Sequence, residues 1–587
     1  MREWLSWLES NLRFRHRCSI LACLCAAIVV SGSVLVRAEE HCDAKVNVEV
    51  EKTRNSMALR ALASDAALSD ANLMNDELPD LLHAVGVTTL RYPGRSANRY
   101  HWSTYKSTRI QGSDPAKFDY YAPNNNFGKF VTLLGKIGGT AILTVNYGSN
   151  LDGSGGGEPA EAAAWVAYCN GKPSDTKEIG KDSTGHDWKS VGYWATLRAS
   201  APLPSDDGVN FLRISHPAPL NIRYWEIGTQ VFSNGFYMKD GQNNDEEDLH
   251  AAYGMDAKEN EKTRRGNPKL SPTTYGNEVV EFAKTMKAVD PSIKIGAVLL
   301  PPAVKEAITK AGAQFVHWNG EGSPGSNQGR SIGSGAWIEG VGSGLGDTSQ
   351  IDWNPSVMKA CGGAIDFVII HWQVGKYLPP DFKRVDPAAI LSAPYTDLPQ
   401  VVSGLVELFT KYGGTNGGHI QLAVSGISAS GLEKNPLAKA LFLADSTVSL
   451  IEDGALTVVG SELNDASFVD SKNGLGPVAY ALGMIHILAG PNDPILASES
   501  SNPLLAVHSA KRADGSVRIM LINKDPLKKA TAKLSLKGGT FANNGVRFDF
   551  GNSTGCVPSK SALDVSSNFS VDVPPYTISV IVIPRRQ

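Results

Sequence analysis

The sequence predicts an α/β protein, a closed (β/α)8 TIM barrel followed by a C-terminal all-β sandwich, on three observations. Short, uninterrupted apolar runs of strand length recur about eight times before residue 461. Stretches with helical spacing of apolar residues lie between them, and after about Ala489 the pattern changes to two-residue alternation. Parallel strands covered by helices on both faces read as continuous apolar runs, whereas strands of a half-solvated antiparallel sheet alternate.

In chain order the barrel-type runs are Leu59 to Ala63, Thr88 to Tyr92, Ala141 to Tyr147, Ile222 to Gly228, Ile293 to Leu300, Ile365 to Trp372, Ile420 to Gly426 and Leu456 to Gly460. Helical patterns occupy Asp76 to Ala84, Pro159 to Cys169, Tyr275 to Val289, Pro399 to Tyr412 and Pro436 to Glu452. Such a count favours a closed barrel over an open doubly wound sheet. The glycine-rich stretches Gly148 to Gly157 and Gly320 to Gly346 are then long loops following strands, suited to shape the barrel mouth. Neither carries a GxxxxGK[ST] or GxGxxG pattern in the context that cradles phosphate.

The alternating runs are Leu505 to Ser509, Val517 to Asn523, Ala530 to Leu536, Val546 to Phe550 and Thr577 to Ile583, separated by turn residues such as Asp514-Gly515 and Pro574-Pro575. An extended segment, Lys45 to Lys52, precedes the barrel and is suited to add a strand to the sandwich. The expected division is a leader over residues 1–38, an N-terminal strand of the sandwich over 39–57, the barrel over 58–488 and the sandwich over 489–587.

The chain has 587 residues, 42% hydrophobic and 20% charged, enough apolar material for a large core. A formal net charge of -3 supplies no basic field for nucleic acid, so a neutral ligand fits better. The leader carries Arg2, Arg13, Arg15 and Arg17, then an apolar run from Cys18 to Val36 that ends in Val36-Arg37-Ala38. This is the pattern of a signal peptide. The run, about 19 residues, is also near the length that spans a bilayer, so an uncleaved anchor is the alternative and membrane contact depends on it. The expected location is secreted, periplasmic or otherwise extracytoplasmic.

Of seven cysteines, Cys42, Cys169, Cys361 and Cys556 lie beyond the leader, with no zinc-type spacing; disulfides and buried free thiols both remain open. The acidic run Asp245 to Asp248 lacks the alternating ligands and central glycine of a calcium loop, so a solvated turn is expected. No HExxH pair occurs, and neither metal nor cofactor is expected. Asn552 and Asn568 meet the N-x-[ST] acceptor pattern.

Four stretches carry a specific likeness: LRYPGRSANRYHW at Leu90 to Trp102, TVNYG at Thr144 to Gly148, YWEIGTQ at Tyr224 to Gln230 and DFVIIHW at Asp366 to Trp372. With them the chain resembles the α-L-arabinofuranosidases of glycoside hydrolase family 51 and their clan A relatives. That resemblance implies the barrel-plus-sandwich layout already read from periodicity. It also implies an acid/base glutamate ending a WEIGNE motif and a nucleophilic glutamate ending a motif similar to VTEWNS. Here the corresponding segments read WEIGTQ and VSGIS. Alignment by motif therefore places Gln230 at the acid/base position and Gly426 at the nucleophile position, with Thr229 in place of the usual neighbouring Asn.

The chemical consequence is severe. An amide supplies no carboxylic proton to a departing sugar oxygen, and glycine offers no nucleophilic atom. Binding is less affected, because Gln230 keeps nearly the shape of Glu and its hydrogen-bonding capacity, while Gly426 is expected to widen the pocket floor. Candidate substrate-binding residues are Arg91, Trp102, Asn146, Tyr147, Thr229, Phe232, His371 and Trp372, each with an alternative role in barrel packing. Arg95, Asn98 and Gln373 mark further departures from the family pattern. Glu226, four residues before Gln230 on the same strand face, is the substitute acid to consider, against a structural ion pair with Arg91. Two readings follow: a protein that binds arabinose-containing or related glycans with little or no hydrolysis, or an active retaining hydrolase that uses displaced acids.

Overall fold

The computed structural model describes residues 42–71, 73–108, 122, 124–237, 248–254, 256–301, 353–374, 387–429, 431–432, 434–463, 468 and 475–586. The leader, the stretch Gly320 to Gly346 and the acidic residues 245–247 lie outside them, as do the side chains of Arg95 and Glu462.

Strand β1 (Cys42–Ser56) precedes the barrel. The barrel strands are β2 (Leu62–Asp65), β3 (Thr89–Tyr92), β6 (Thr140–Val145), β7 (Tyr224–Ile227), β8 (Lys294–Leu299), β9 (Phe367–Val374), β10 (Gln421–Ala429) and β11 (Thr457–Glu462); a small hairpin, β4 (Tyr100–His101) and β5 (Lys106–Ser107), lies between β3 and β6. The eight pair in parallel and close, β11 returning to β2.

Around them run α1 (Leu78–Ala84), α2 (Phe127–Lys136), α3 (Pro159–Asn170), α4 (Val191–Ala199), α5 (Ala257–Arg264), α6 (Pro272–Val289), α7 (Trp353–Cys361), α8 (Pro387–Thr396), α9 (Leu398–Tyr412), α10 (Pro436–Glu452) and α11 (Pro477–Leu488). Their starts are written in the sequence. Asn126, Ser271 and Asn435 each accept a hydrogen bond from a first-turn N–H, and in α6 and α10 a proline follows, where its missing N–H costs nothing.

Alternation along each strand decides which residues reach the barrel interior. Arg91 points inward, while its neighbour Tyr92 stacks outward on Phe130 of α2 with ring centroids 4.3 Å apart. On β9, His371 points inward and Trp372 outward.

The second domain contains β12 (Pro494–Ser500), β13 (Leu505–Lys511), β14 (Val517–Asn523), β15 (Ala530–Lys537), β16 (Asn544–Gly551), β17 (Ser559–Asp564), β18 (Asn568–Val573) and β19 (Thr577–Ile583). With β1 they form one continuous nine-stranded sheet in the order β17-β16-β19-β14-β13-β12-β1-β15-β18. Strand β1 lies between β12, antiparallel, and β15, parallel. The two halves of this sheet share one core, with Val46, Val48, Leu534 and Val571 meeting Ile519, Leu521 and Ile581. The opposite face, including Met520, Ile522, Phe550, Ile578 and Val580, merges with the core of the barrel.

Candidate functional site

The strand ends of β3, β6, β7, β9 and β10 bring most of the sequence-selected residues to one mouth of the barrel. At its floor Arg91 is 1% exposed and Glu226 is fully buried. Arg91 donates through Nε to Glu226 Oε2 at 2.8 Å and through Nη2 to Oε1 at 3.1 Å, while Nη1 reaches Asp65 Oδ1 at 3.0 Å. Thr144 donates to Glu226 Oε2 at 2.7 Å, and Arg91 Nη2 also donates to Thr229 Oγ1 at 2.9 Å. Burial opposes the guanidinium charge, but Glu226 and Asp65 more than offset it and raise the pKa of Arg91. Glu226 is thus an acceptor already committed to its cation, the ion pair expected from the sequence.

Above this floor, β7 ends in a sharp turn. Gly228 has φ +68°, Gln230 has φ +48° and ψ +28°, and a short 3-10 turn, Val231–Ser233, follows. Asn98 pins the turn by accepting from Thr229 N at 3.0 Å and donating to Thr229 O at 2.8 Å. A left-handed glutamine is uncommon and strained. It aims the Gln230 amide across the mouth, where Nε2 lies 2.9 Å from His371 Nδ1.

His371 also meets the nucleophile position. Gly426 sits where the pairing of β9 with β10 slips, between Ser425 opposite His371 and Ser428 opposite Gln373, and it has φ +58°. A Cβ built there would lie 2.9 Å from His371 Nδ1, 3.3 Å from its Cγ and 3.5 Å from Gln373 Nε2. The wider floor expected from glycine is therefore absent: the imidazole fills that space. Gln230, His371 and Gly426 form one contiguous arrangement.

Other selected residues are divided between the mouth and the packing around it. Asn146 is 6% exposed at the end of β6, and its side chain exchanges hydrogen bonds with Ser149, accepting from N at 3.1 Å and donating to Oγ at 3.2 Å. Tyr147 is buried, its ring 4.6 Å from His250 and 5.0 Å from Tyr275; burial, with Asp248 and Glu278 nearby, raises its pKa. Phe232 packs edge-on to Trp353 at 6.3 Å.

Two aromatic assignments are corrected. Trp102 lies flat on Trp165, centroids 5.6 Å apart and planes 5° apart, with Trp194 at 5.0 Å, so its faces serve the aromatic core. Trp372 points away from the mouth because it alternates with His371, and it stacks on Phe442 of α10 at 5.3 Å. The solvated turn expected around Asp248 is also corrected for that residue. Asp248 is buried, accepts from Asn234 Nδ2 at 3.0 Å and pairs with His250 Nδ1 at 2.6 Å, while His250 Nε2 pairs with Glu278 at 3.1 Å. Burial disfavours the imidazolium, yet the hydrogen bonds and charges of Asp248 and Glu278 push its pKa up to about 10. His250 was not legible as a site residue, because its partners lie on a distant helix and in a polar loop without a motif.

A further buried set joins the hairpin to α3: His101 Nδ1 lies 3.0 Å from Glu161 Oε2 and Nε2 2.5 Å from Thr108 Oγ1. Among the described residues no group of three His, Cys, Asp or Glu side chains is arranged to hold a metal. Cys169 and Cys361 are buried free thiols, and Cys556 is a half-buried one.

No family model matches the chain. Among curated proteins, it is similar to the α-L-arabinofuranosidase C of Emericella nidulans, 25% identical over 232 residues that cover 39% of this chain and 33% of that protein. A probable α-L-arabinofuranosidase C of Aspergillus fumigatus is 24% identical over the same length and shares. The match thus spans a third of the length of these relatives. Among solved structures, the arabinose complex of the α-L-arabinofuranosidase of Thermotoga maritima superposes with a TM-score of 0.59 at 17% identity, over 92% of this chain and 100% of that one. A family 51 α-L-arabinofuranosidase of Bifidobacterium longum gives 0.58 at 13%, over 93% and 100%. A family 44 endoglucanase of Clostridium thermocellum gives 0.54 at 13%, over the same shares, so the fold alone does not select a substrate. Barrel, nine-stranded domain and sequence similarity together make this chain a protein resembling the family 51 α-L-arabinofuranosidases.

Proposed function

We propose that this chain is an exported protein that binds arabinose-containing or related glycans at the barrel mouth, with little or no hydrolysis by the two-carboxylate mechanism. One observation carries the reading: the His371 imidazole lies against Gly426 and hydrogen-bonds Gln230, so an amide, an imidazole and a glycine occupy the ground that bond cleavage needs for an acid and a nucleophile. Retaining cleavage requires a carboxylic proton for the leaving oxygen and a carboxylate facing the anomeric carbon. Glu226 and Asp65 do not supply them, since both are bound to Arg91 beneath the mouth. The polar groups that remain suit a ligand of hydroxyl groups.

Export rests on the leader pattern, and no helix among the described residues is long and apolar enough to cross a membrane. The test pairs calorimetric binding of arabinan-type oligosaccharides with release from an aryl α-L-arabinofuranoside. Binding without release is the expected result. Robust release that disappears in Glu226→Gln, with the fold intact, overturns the reading in favour of displaced acids.

A further inference from the structure

We infer that the mouth selects an uncharged sugar unit and does not favour the cationic sugar mimics that an intact pair of catalytic carboxylates attracts. The inference rests on the binding reading above and goes further by specifying the charge of the ligand. The transition state of glycoside cleavage resembles an oxocarbenium ion, so a site built for it presents negative oxygens around the ring oxygen and anomeric carbon. The same oxygens bind a sugar analogue whose ring oxygen is replaced by a protonated nitrogen.

In this chain the groups at those two positions are Gln230 and Gly426, and the ring between them belongs to His371. Near neutral pH an amide and an imidazole carry no negative charge. Turning the Gln230 amide or changing the His371 tautomer alters which atom donates, not that fact.

Among the described residues, the carboxylates nearby do not substitute for them. Asp65 and Glu226 together exceed Arg91 by one negative charge, and Asp248 and Glu278 exceed a protonated His250 likewise, so the mouth is not without a field. An ammonium, however, gains most from an acceptor oxygen in direct contact. Both oxygens of Glu226 are taken, by Arg91 Nε and Nη2 and by Thr144. Asp65 is tied to Arg91 Nη1, and the two carboxylates around His250 are held at 2.6 Å and 3.1 Å. To reach a cationic ligand, Glu226 would have to give up a buried partner, which removes the gain, and Asp65, Asp248 and Glu278 would have to divide their charge between the ligand and the cation each already holds.

The geometry also names a single change that reverses the preference. Gln230→Glu is nearly isosteric and places a carboxylate against His371 at the acid/base position. Gly426→Glu is unsuitable, because its Cβ would meet the imidazole.

The experiment is calorimetric titration of the full chain with two probes, a thio-linked methyl α-L-arabinofuranoside and the protonated imino-L-arabinitol of the same ring configuration. The wild-type protein is expected to bind the neutral probe at least as tightly as the cation, and Gln230→Glu to shift the ratio toward the cation by about ten-fold or more. A melting temperature unchanged from wild type shows that the variant is folded. A wild-type preference for the cation of about ten-fold overturns the inference while leaving the binding reading intact, and so does an unchanged ratio in the folded variant. Binding of neither probe overturns the binding reading, and the inference falls with it.

Discussion

The contact between Gly426 and His371 determines what substitutions at the site can achieve. A side chain at residue 426 must adopt φ near +58° and must also displace an imidazole whose Nδ1 lies 2.9 Å from the new Cβ. Left-handed backbone and overpacking each have a cost, so Gly426→Glu is expected to destabilise the protein by about 1–3 kcal/mol, measured as a fall in urea midpoint. His371→Ala removes the steric part, and the double variant should recover about 1 kcal/mol of the loss. Strict additivity of the two changes would show that the ring does not limit the position. Glu226 presents the opposite case. Glu226→Gln keeps the shape but removes one of two carboxylates from a fully buried guanidinium, so a loss of about 3–5 kcal/mol is expected in the same measurement. A change within experimental error would mean that Glu226 is not the structural partner of Arg91. Both residues stand out in the sequence by their place in a strand motif. Their meaning was not legible, because it depends on an imidazole from β9 and a guanidinium from β3, contacts that no local pattern encodes.

Burial made the barrel strands legible, whereas the buried helices α2 and α11 carry no pattern that the sequence reading used. The barrel strands carry apolar runs that only a covered strand requires, and the sheet strands Val517–Asn523 and Thr577–Ile583, expected to alternate between a buried and a solvated face, are buried along their whole length. By contrast β17, with the sequence SKSALD, is almost wholly exposed at a sheet edge and offers no pattern. Helix α5, with the sequence AKENEKTR, likewise offers no apolar periodicity. The apolar spacing of Pro436–Glu452 specifies helix α10, but its charged residues acquire their role only through the second domain. His508 on β13 places Nδ1 2.8 Å from Glu452 and Nε2 3.1 Å from Asp445, Lys524 also pairs with Asp445, and Arg54 of β1 pairs with Glu452 and Asp453. Burial disfavours protonation of His508, yet Glu452 and Asp445 push its pKa up to about 9. Since this exceeds the value of about 6.5 for an unfolded histidine, the resulting stability is complete below that pH and is lost as pH rises through the folded value. The loss is on the order of 3 kcal/mol. His250 adds to the same slope because its pKa is raised as well. Urea midpoints measured across this window should fall less steeply in His508→Gln than in wild type. Equal slopes would show that the α10 cluster does not hold the proton.

At the scale of the molecule, the two domains are expected to unfold as one. The outer face of the nine-stranded sheet, with Met520, Ile522, Phe550, Ile578 and Val580, belongs to the same apolar core as the buried residues of α10 and α11. The chain crosses the boundary twice, first from β1 into the barrel and again from α11 into β12, and β1 takes its hydrogen bonds from β12 and β15 at the far end of the sequence. Removing the C-terminal domain would therefore leave β1 with two unpaired edges and expose the apolar faces of two helices, while isolating the sheet would strip it of the surface that covers one side. Neither part retains a complete core, so calorimetry of residues 42–587 should give a single transition whose calorimetric and van't Hoff enthalpies agree. Two resolved transitions, one of them preserved in a fragment ending at Leu488, would show that the shared core contributes little and that the barrel stands alone. A single transition has a consequence for the mouth as well. The strained left-handed backbone at Gln230 is then held by the cooperativity of the whole chain, because β7, which precedes it, and β9 and β10, which carry His371 and Gly426 beside it, cannot relax without opening the core they share with the sheet.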